Sequence, residues 1–505
     1  MIGAVSVATT LFCVNFVAFE KGNMLFPVLW CTGFFVLIFS TAHNLAHALF
    51  YLFTKESVLK EADINEVPRC AIVYPVRNEP VGLYERMEYT LQNNNLPGVR
   101  LCFLSDSSDE YLKYESDVVK KLRARFGEFK VYYWHREDPR ERKQGNIRDW
   151  LVCHYKEYKY FMVCDADSTV PAGALYKLLR KAEHPENADI AMFQSKIEIA
   201  HAKTIFSRWQ KISVGITQKL YTEVTQRVFN CSLSFGHGNL IRISLFFNIE
   251  VPSWALSHDI WEMALLSVYG RRTVYCPDVV TYEEVPGNYV EMRARDRRWI
   301  KGNLQTYPLL FRKGLSPGAR FYIFHGLYIY LSQPVFFCWI LLSIFGNSLT
   351  FGQFLFFKPI IFYNKYGINI EMAALAGMIL GVVFLHKFVI VKDLRDAADI
   401  LKEIFFSTLI CLNNVFYQTL DMLIIFFQKV RWIPMHKDPF EFLSISRAAR
   451  SLWPSTLLGI GLIAFGINNS TFGTIFALPL LLSFTLSIPV VYLTSLPWPL
   501  KLEQS

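Results

Sequence analysis

Two carboxylates, Asp165 and Asp167, close a run of apolar and aromatic residues at 160–164. Such a run reads as a buried strand, and Pro171 and Gly173 mark a turn soon after it. Side chains two apart on an extended chain point the same way. The pair can therefore hold a divalent cation that also takes oxygens from a diphosphate. Asp and Ser also simply favour the turn after a strand, so the surroundings must separate the readings. Glu79 and Asp106 follow two further strand-like runs, and in an open α/β sheet the carboxyl ends of the strands converge on one crevice. Asp259, after Leu256-Ser257-His258, opens a helical segment either as its cap or as a proton acceptor. Arg295, Arg297 and Arg298 crowd Trp299. Guanidinium groups suit bidentate phosphate contacts, although an Arg cluster also serves as a solvated face or a membrane-proximal anchor. No Gly-x-Gly-x-x-Gly and no Walker motif occurs, which argues against a dinucleotide or P-loop site.

These residues need elements to position them. Strand patterns fall at 70–76, 99–106, 130–134, 160–164 and 190–194. Helical patterns fall at 84–93, 117–125, 143–155, 174–183 and 204–225. The alternation predicts a parallel sheet of the doubly wound type. Beyond it come a polar turn at 235–239, a helix at 260–269, and short elements at 274–278 and 282–286. His237 and His258 read as turn or supporting residues.

The 505 residues are 52% apolar yet carry 52 Lys+Arg and 43 Asp+Glu, concentrated between about residues 55 and 320. That asymmetry predicts a soluble domain flanked by membrane segments. The net charge of +9 does not point to nucleic acid, since basic residues beside spans are expected on the cytoplasmic side and no basic arm is present. Ten scattered cysteines without a Cys-x-x-Cys pair argue against a zinc site or a disulfide framework. The expected organisation is two spans in 1–54, a cytosolic domain in 55–318, two spans in 319–392, cytoplasmic interfacial helices with a loop in 393–450, two spans in 451–497 and a tail in 498–505. That makes about six spans. Residues 2–19 lack a basic leader and a small-residue cleavage site, so they read as a retained helix. Segment 404–427 carries Asn413, Asn414, Gln418 and Asp421 between two basic flanks, which favours an interfacial position.

The ordered set Glu79, Asp106, Lys143, Asp165/Asp167, Gln194, Asp259 and Arg295 to Trp299 resembles the membrane-embedded family-2 processive glycosyltransferases, such as cellulose and hyaluronan synthases. Arg295 stands where the cellulose-synthase pattern has Gln. The nearer likeness is to the bacterial synthases of osmoregulated periplasmic glucans. It rests on Leu256-Ser257-His258-Asp259, on Thr281 to Pro286, on Arg295 to Trp299 with Gly302-Asn303-Leu304-Gln305, and on Lys143 to Ile147. It extends to Trp432-Ile433-Pro434 and to Ser455 through Gly459. The chain is shorter than typical members, which bears on regulation more than on chemistry.

The resemblance implies a GT-A-like fold and an inverting transfer from UDP-glucose to a growing glucan at a bacterial inner membrane. The catalytic domain would be cytoplasmic, and the linkage would be β-1,2. Asp106 and Glu79 would meet the nucleoside end of the donor. Asp165 and Asp167 would hold Mg²⁺ or Mn²⁺ on the diphosphate, with Lys143, Arg297 and Arg298 adding positive charge. Asp259 would be the base, and Trp299 would offer a sugar an aromatic face or serve a structural role. Residues around 437 would belong to a loop covering the donor pocket. A lipid-linked single-sugar transferase, or a transporter with a regulatory cytosolic domain, are the competing readings.

Overall fold

The structure is a computed structural model and describes residues 25–56, 58–345, 381, 383–427, 442–468 and 472–497. The span expected at 2–19, most of that at 373–385, the loop around Trp432 and the tail at 498–505 lie outside the described residues.

A seven-stranded sheet forms the centre, in the order β3-β2-β1-β4-β6-β5-β7. Its strands are β1 (Cys70–Val76), β2 (Val99–Ser105), β3 (Val131–His135), β4 (Tyr160–Val163), β5 (Ile190–Ile199), β6 (Asn239–Arg242) and β7 (Arg272–Glu283). All neighbours are parallel except β6, which runs antiparallel to both β4 and β5. The sheet is therefore mixed and mostly parallel. A mostly parallel sheet was expected; β6 itself was not read as a strand, because four residues after a Gly-rich turn carry almost no period.

Alternation along β1 shows why both faces are covered. Cys70, Ile72, Tyr74 and Val76 point into one core, while Ala71 and Val73 point into the other. The first core is closed by α1 (Leu83–Asn93), α2 (Asp109–Phe126) and α3 (Ala174–Glu183). In α3, Leu175, Leu178, Leu179 and Ala182 form the buried stripe. Helix α2 starts eight residues before the apolar pattern suggests. Its first turn carries Asp109 and Glu110, which suit a helix N-terminus without showing any apolar period.

The second core is closed by α4 (Arg142–His154), with Trp150 fully buried, and by α5 (His258–Val268). Strand β7 was expected as two short pieces around Pro277. It is one strand with a bulge: its register against β5 passes from Ser195↔Cys276 to Lys196↔Val280. A proline lacking its N–H is tolerated at such a bulge.

Helix α6 (Tyr289–Leu304) begins at Asn288, whose side chain accepts a hydrogen bond from the Glu291 N–H at 3.1 Å. Helix α7 (Pro317–Phe345) leaves the domain directly. Its Ala319, Ile323 and Leu327 belong to the second sheet core, so the sheet and the first long apolar helix after it share one packing unit. Among the described residues, four helical segments are long and apolar enough to cross a membrane: Thr32–Phe53, Pro317–Leu342, Leu394–Ile425 and Ile445–Asn468.

The segment read as interfacial is one continuous helix, α8 (Leu394–Phe427), of a length and composition that also suit a span. Two of its polar residues have partners in neighbouring helices. Asn413 donates to the Ser483 carbonyl at 2.6 Å, and Asp421 faces α6. The last apolar stretch, expected as one helix at 472–493, is two, Phe472–Thr485 and Ser487–Thr494. Pro489 has no N–H to offer the Thr485 carbonyl.

Candidate active site

The carboxyl ends of β1, β2 and β4 open onto a cavity of about 330 Å³. Glu79, Asp106, Lys143, Asp165 and Asp167 line it from the sheet side, and Arg298 and Trp299 line it from α6. Asp165 and Asp167 are both half-buried while Ala166 and Ser168 between and after them are buried, so the two acids face the cavity together. Asp259 is not among the lining residues; its neighbours Leu256 and His258 are, and it lies beside them. A side chain starting at Gly236 would lie 3.8 Å from both Asp259 Oδ2 and Lys143 Nζ, so the glycine leaves open the space these two groups share. Gly238, with φ +64, is needed for packing: a Cβ there would come within 2.5 Å of Thr281 Oγ1.

On the sheet side the acids are already held by cations. Arg136, absent from the sequence reading, grips Asp106 with Nε–Oδ1 and Nη2–Oδ2 bonds of 2.8 Å each, and also reaches Asp149 at 2.8 Å. Its signal was its place immediately after β3, the same strand-end position that drew attention to the acids. Burial raises the pKa of Asp106, with Arg136 working against that rise. Lys143 Nζ donates to Asp165 and, at 2.7 Å, to the Gly236 carbonyl. Asn78 ties the first two strand ends together, accepting from the Ser108 N–H at 2.8 Å and donating its own N–H to Ser107 at 2.7 Å.

His237, expected as a turn or supporting residue, is buried at the cavity between Ser168 Oγ at 3.2 Å and Glu283 at 2.9 Å. Burial opposes its charge, but Glu283, with Asp165 beyond, outweighs it and lifts the imidazolium to about 9. Gln194 is fully buried and off the cavity. It clamps the turn, donating to the His237 carbonyl and accepting from the Phe235 N–H, both at 2.9 Å.

The helical side differs. Ser257 caps α5, so Asp259 lies inside the first turn rather than at the cap. Burial pushes Asp259 up to about 6, although Lys143 and the N–H groups of Asp259 and Ile260 work against it. One turn on, burial and then the Asp259 carboxylate push Glu262 up to about 8. His258 is driven down to about 3 by burial and by Lys143, and stays neutral. The Gly302-Asn303-Leu304-Gln305 stretch holds the Asp259 loop. Gln305 accepts from the Leu256 N–H at 2.9 Å, and any Cβ on Gly302 would meet Ser257 Oγ at 2.0 Å.

Helix α6 divides the arginines by face. Arg295, Arg298 and Trp299 turn to the cavity, and Arg295 lies 4.2 Å above the Trp299 ring. Burial, then Arg295, lowers the pKa of Arg298. Arg297 does not line the cavity, against the expectation that it would meet the diphosphate. Together with Arg293, one turn back on the same face, it bonds Asp421 of α8. Spacing in the linear motif hid this, because neighbours in a helix point about 100° apart.

Trp299 is 46% exposed. With Arg295 it also lines a second cavity, of about 450 Å³, bounded by α7 and α8 through Tyr330, Gln333, Asn414 and Gln418.

Among the described residues no group of three or more His, Cys, Asp or Glu side chains is placed to hold a metal by itself. Two carboxylates in a cavity that also carries Lys143, Arg295 and Arg298 fit a cation of the Mg²⁺ type, which usually takes one or two carboxylates and completes its shell with phosphate oxygens and water.

Residues 160–386 match the family model Glycosyl transferase family group 2. The matched part is similar to family 2 glycosyltransferase domains and includes Asp165, Asp167, Asp259, Arg298 and Trp299. Curated relatives are named glucans biosynthesis glucosyltransferase H. One from Pseudomonas putida (strain W619) is 28% identical over 94% of this chain and 59% of its own length. One from Rhodopseudomonas palustris is 30% identical over 55% of this chain and 40% of its own length. The chain thus spans about 59% of the length of the first of these relatives. A solved mannosyltransferase from Pyrobaculum calidifontis, in complex with GDP-Man and Mn²⁺, aligns over 80% of this chain and 97% of its own at 14% identity and a TM-score of 0.46.

Proposed function

We propose that the chain is an inverting, processive glucosyltransferase that uses UDP-glucose to extend a β-linked glucan, β-1,2 by resemblance, and passes the product across a bacterial inner membrane. The observation that carries this is the closeness of Asp259 to the Lys143–Asp165 pair: Asp259 Oδ2 and Lys143 Nζ both lie 3.8 Å from the point a Gly236 side chain would occupy, beside the cavity that Lys143 and Asp165 line. An acid pushed up to about 6 is a stronger base than an ordinary aspartate and is still ionised near neutrality. In this reading the acceptor hydroxyl attacks the anomeric carbon, its proton passes to Asp259, and the bond to the diphosphate breaks. UDP leaves with the electron pair. One displacement inverts an α-linked donor to a β-linked product, and no covalent enzyme intermediate is needed.

Asp165 and Asp167 would hold Mg²⁺ or Mn²⁺, whose chemistry is to offset charge on the leaving diphosphate. Lys143 and Arg298 add fixed positive charge to the same end of the cavity. Glu79 and Asp106, the latter steadied by Arg136, would meet the nucleoside end. Trp299 faces both cavities, which suits an acceptor chain leading from the transfer site toward the long apolar helices. The relatives named glucosyltransferase support glucose as the sugar. The sheet domain and residues 429–450 would be cytoplasmic.

Radiolabelled UDP-glucose supplied to membranes containing the chain tests this. A polymeric product cleaved by β-glucan hydrolases is expected. A single glucose on a lipid carrier would replace the reading with a lipid-linked transferase, and no release of UDP would end it.

A further inference from the structure

Asp421 is 1% exposed in the last two turns of the long apolar helix α8. Arg297 donates to it through Nη2 at 2.5 Å and Nε at 3.0 Å, and Arg293 through Nη2 at 3.2 Å and Nε at 3.3 Å. Arg293 also lies 3.8 Å over the ring of Tyr417, one turn before Asp421 on α8. Both arginines belong to α6, the helix whose opposite face carries Arg298 and Trp299. A carboxylate so buried is costly unless charged donors surround it, and the arrangement defines one rotation and one axial position of α6. Gln418, a turn before Asp421, lines the second cavity, so the contact lies where that cavity ends between α6 and α8.

We infer that Asp421 is a positioning residue for transfer. It latches α6 to α8 through Arg293 and Arg297, and so fixes where Arg298 and Trp299 stand in the cavity. The inference rests on the transferase reading for its kinetics, but not for its geometry. Asp421 touches no reacting group in this account. Its effect passes through the helix, and a displacement of about 1 Å in a positioning element can cost about 10²-fold in rate.

The test uses the full chain in detergent or nanodiscs. Asp421→Asn keeps the shape and loses the charge. It is expected to lower kcat for UDP-glucose by about 10- to 10²-fold, and Asp421→Glu to recover most of the loss. In Trp299→Ala the latch has less left to position. The double variant Asp421→Asn/Trp299→Ala is therefore expected to be less impaired than the product of the two single losses. A general loss of stability would multiply instead. Iodide quenching of the Trp299 part of the fluorescence, taken as wild type minus Trp299→Phe, should change in Asp421→Asn.

If Asp421→Asn fails to fold, Arg293→Met/Arg297→Met/Asp421→Met removes all three charges without stranding one, and the same kinetic and quenching changes are expected. Full kcat with unchanged quenching in a folded variant would overturn the latch. If the wild type releases no UDP, the transferase reading fails, and quenching alone still decides the latch.

Discussion

The two walls of the cavity are built on different electrostatic plans. On the sheet wall, acids sit beside fixed cations: Asp106 in the fork of Arg136 and Asp165 on Lys143. Beside the helical wall, Asp259 has no arginine or lysine bonded to it among the described residues and is pushed up to about 6 by burial, with Lys143 working against the rise. A carboxylate locked to a guanidinium is a rigid recognition and charge-holding element. A carboxylate in a drier place with a raised pKa is suited to take a proton. In the proposed reading one side binds the nucleotide end and the other takes the proton.

The largest effect should come from removing the charge-holding pair. Asp165→Asn or Asp167→Asn is expected to reduce transfer by at least ~10³-fold, because a cation on the leaving diphosphate supplies several kcal/mol. Excess EDTA should do the same to the wild type in a UDP-release assay. Unimpaired transfer in EDTA would remove the metal from the account.

Breaking the sheet wall elsewhere should cost stability first. Arg136→Met strands Asp106 in the core and is expected to destabilise the chain by roughly 3–5 kcal/mol, with weaker UDP binding. Thermal unfolding and nucleotide titration check this, and a variant as stable as the wild type would show that the pair matters less than its burial suggests.

The helical wall should show itself in pH. Asp259 must be ionised to act, so kcat/KM is expected to fall by roughly tenfold per pH unit as pH drops below about 6. A limb near 4 instead would return Asp259 to an ordinary, solvated state.

The smallest effect concerns His237. Its folded pKa lies near 9, above the ordinary 6.5. Its ion pair with Glu283 thus contributes stability that is fully present below about 6.5 and lost as pH rises through about 9. The melting temperature of the wild type should decline over that window, and that of His237→Gln should decline less.

Much of this was legible in the chain. Strand-end acids were visible because apolar runs at 70–76, 99–106 and 160–164 stop at charged residues, and the sheet does bring Glu79, Asp106, Asp165 and Asp167 to one cavity. What stayed hidden depends on facing rather than on order. Arg297 and Arg298 are adjacent in sequence, yet one faces Asp421 and the other the cavity. Arg136 needed the pairing of β2 with β3 to bring it to Asp106. β6 gave no signal because a four-residue strand between two neighbours is specified by its partners rather than by its own period.

The division of labour between the walls is tested most directly by Asp259→Asn, followed by UDP affinity and transfer in one preparation. Asn keeps the shape of the first turn of α5 but does not take the proton. The account predicts nucleotide affinity near that of the wild type and a loss of ~10² to 10⁴ in transfer rate. An Asp259→Asn protein that still builds glucan, or one that loses UDP binding along with activity, would contradict it.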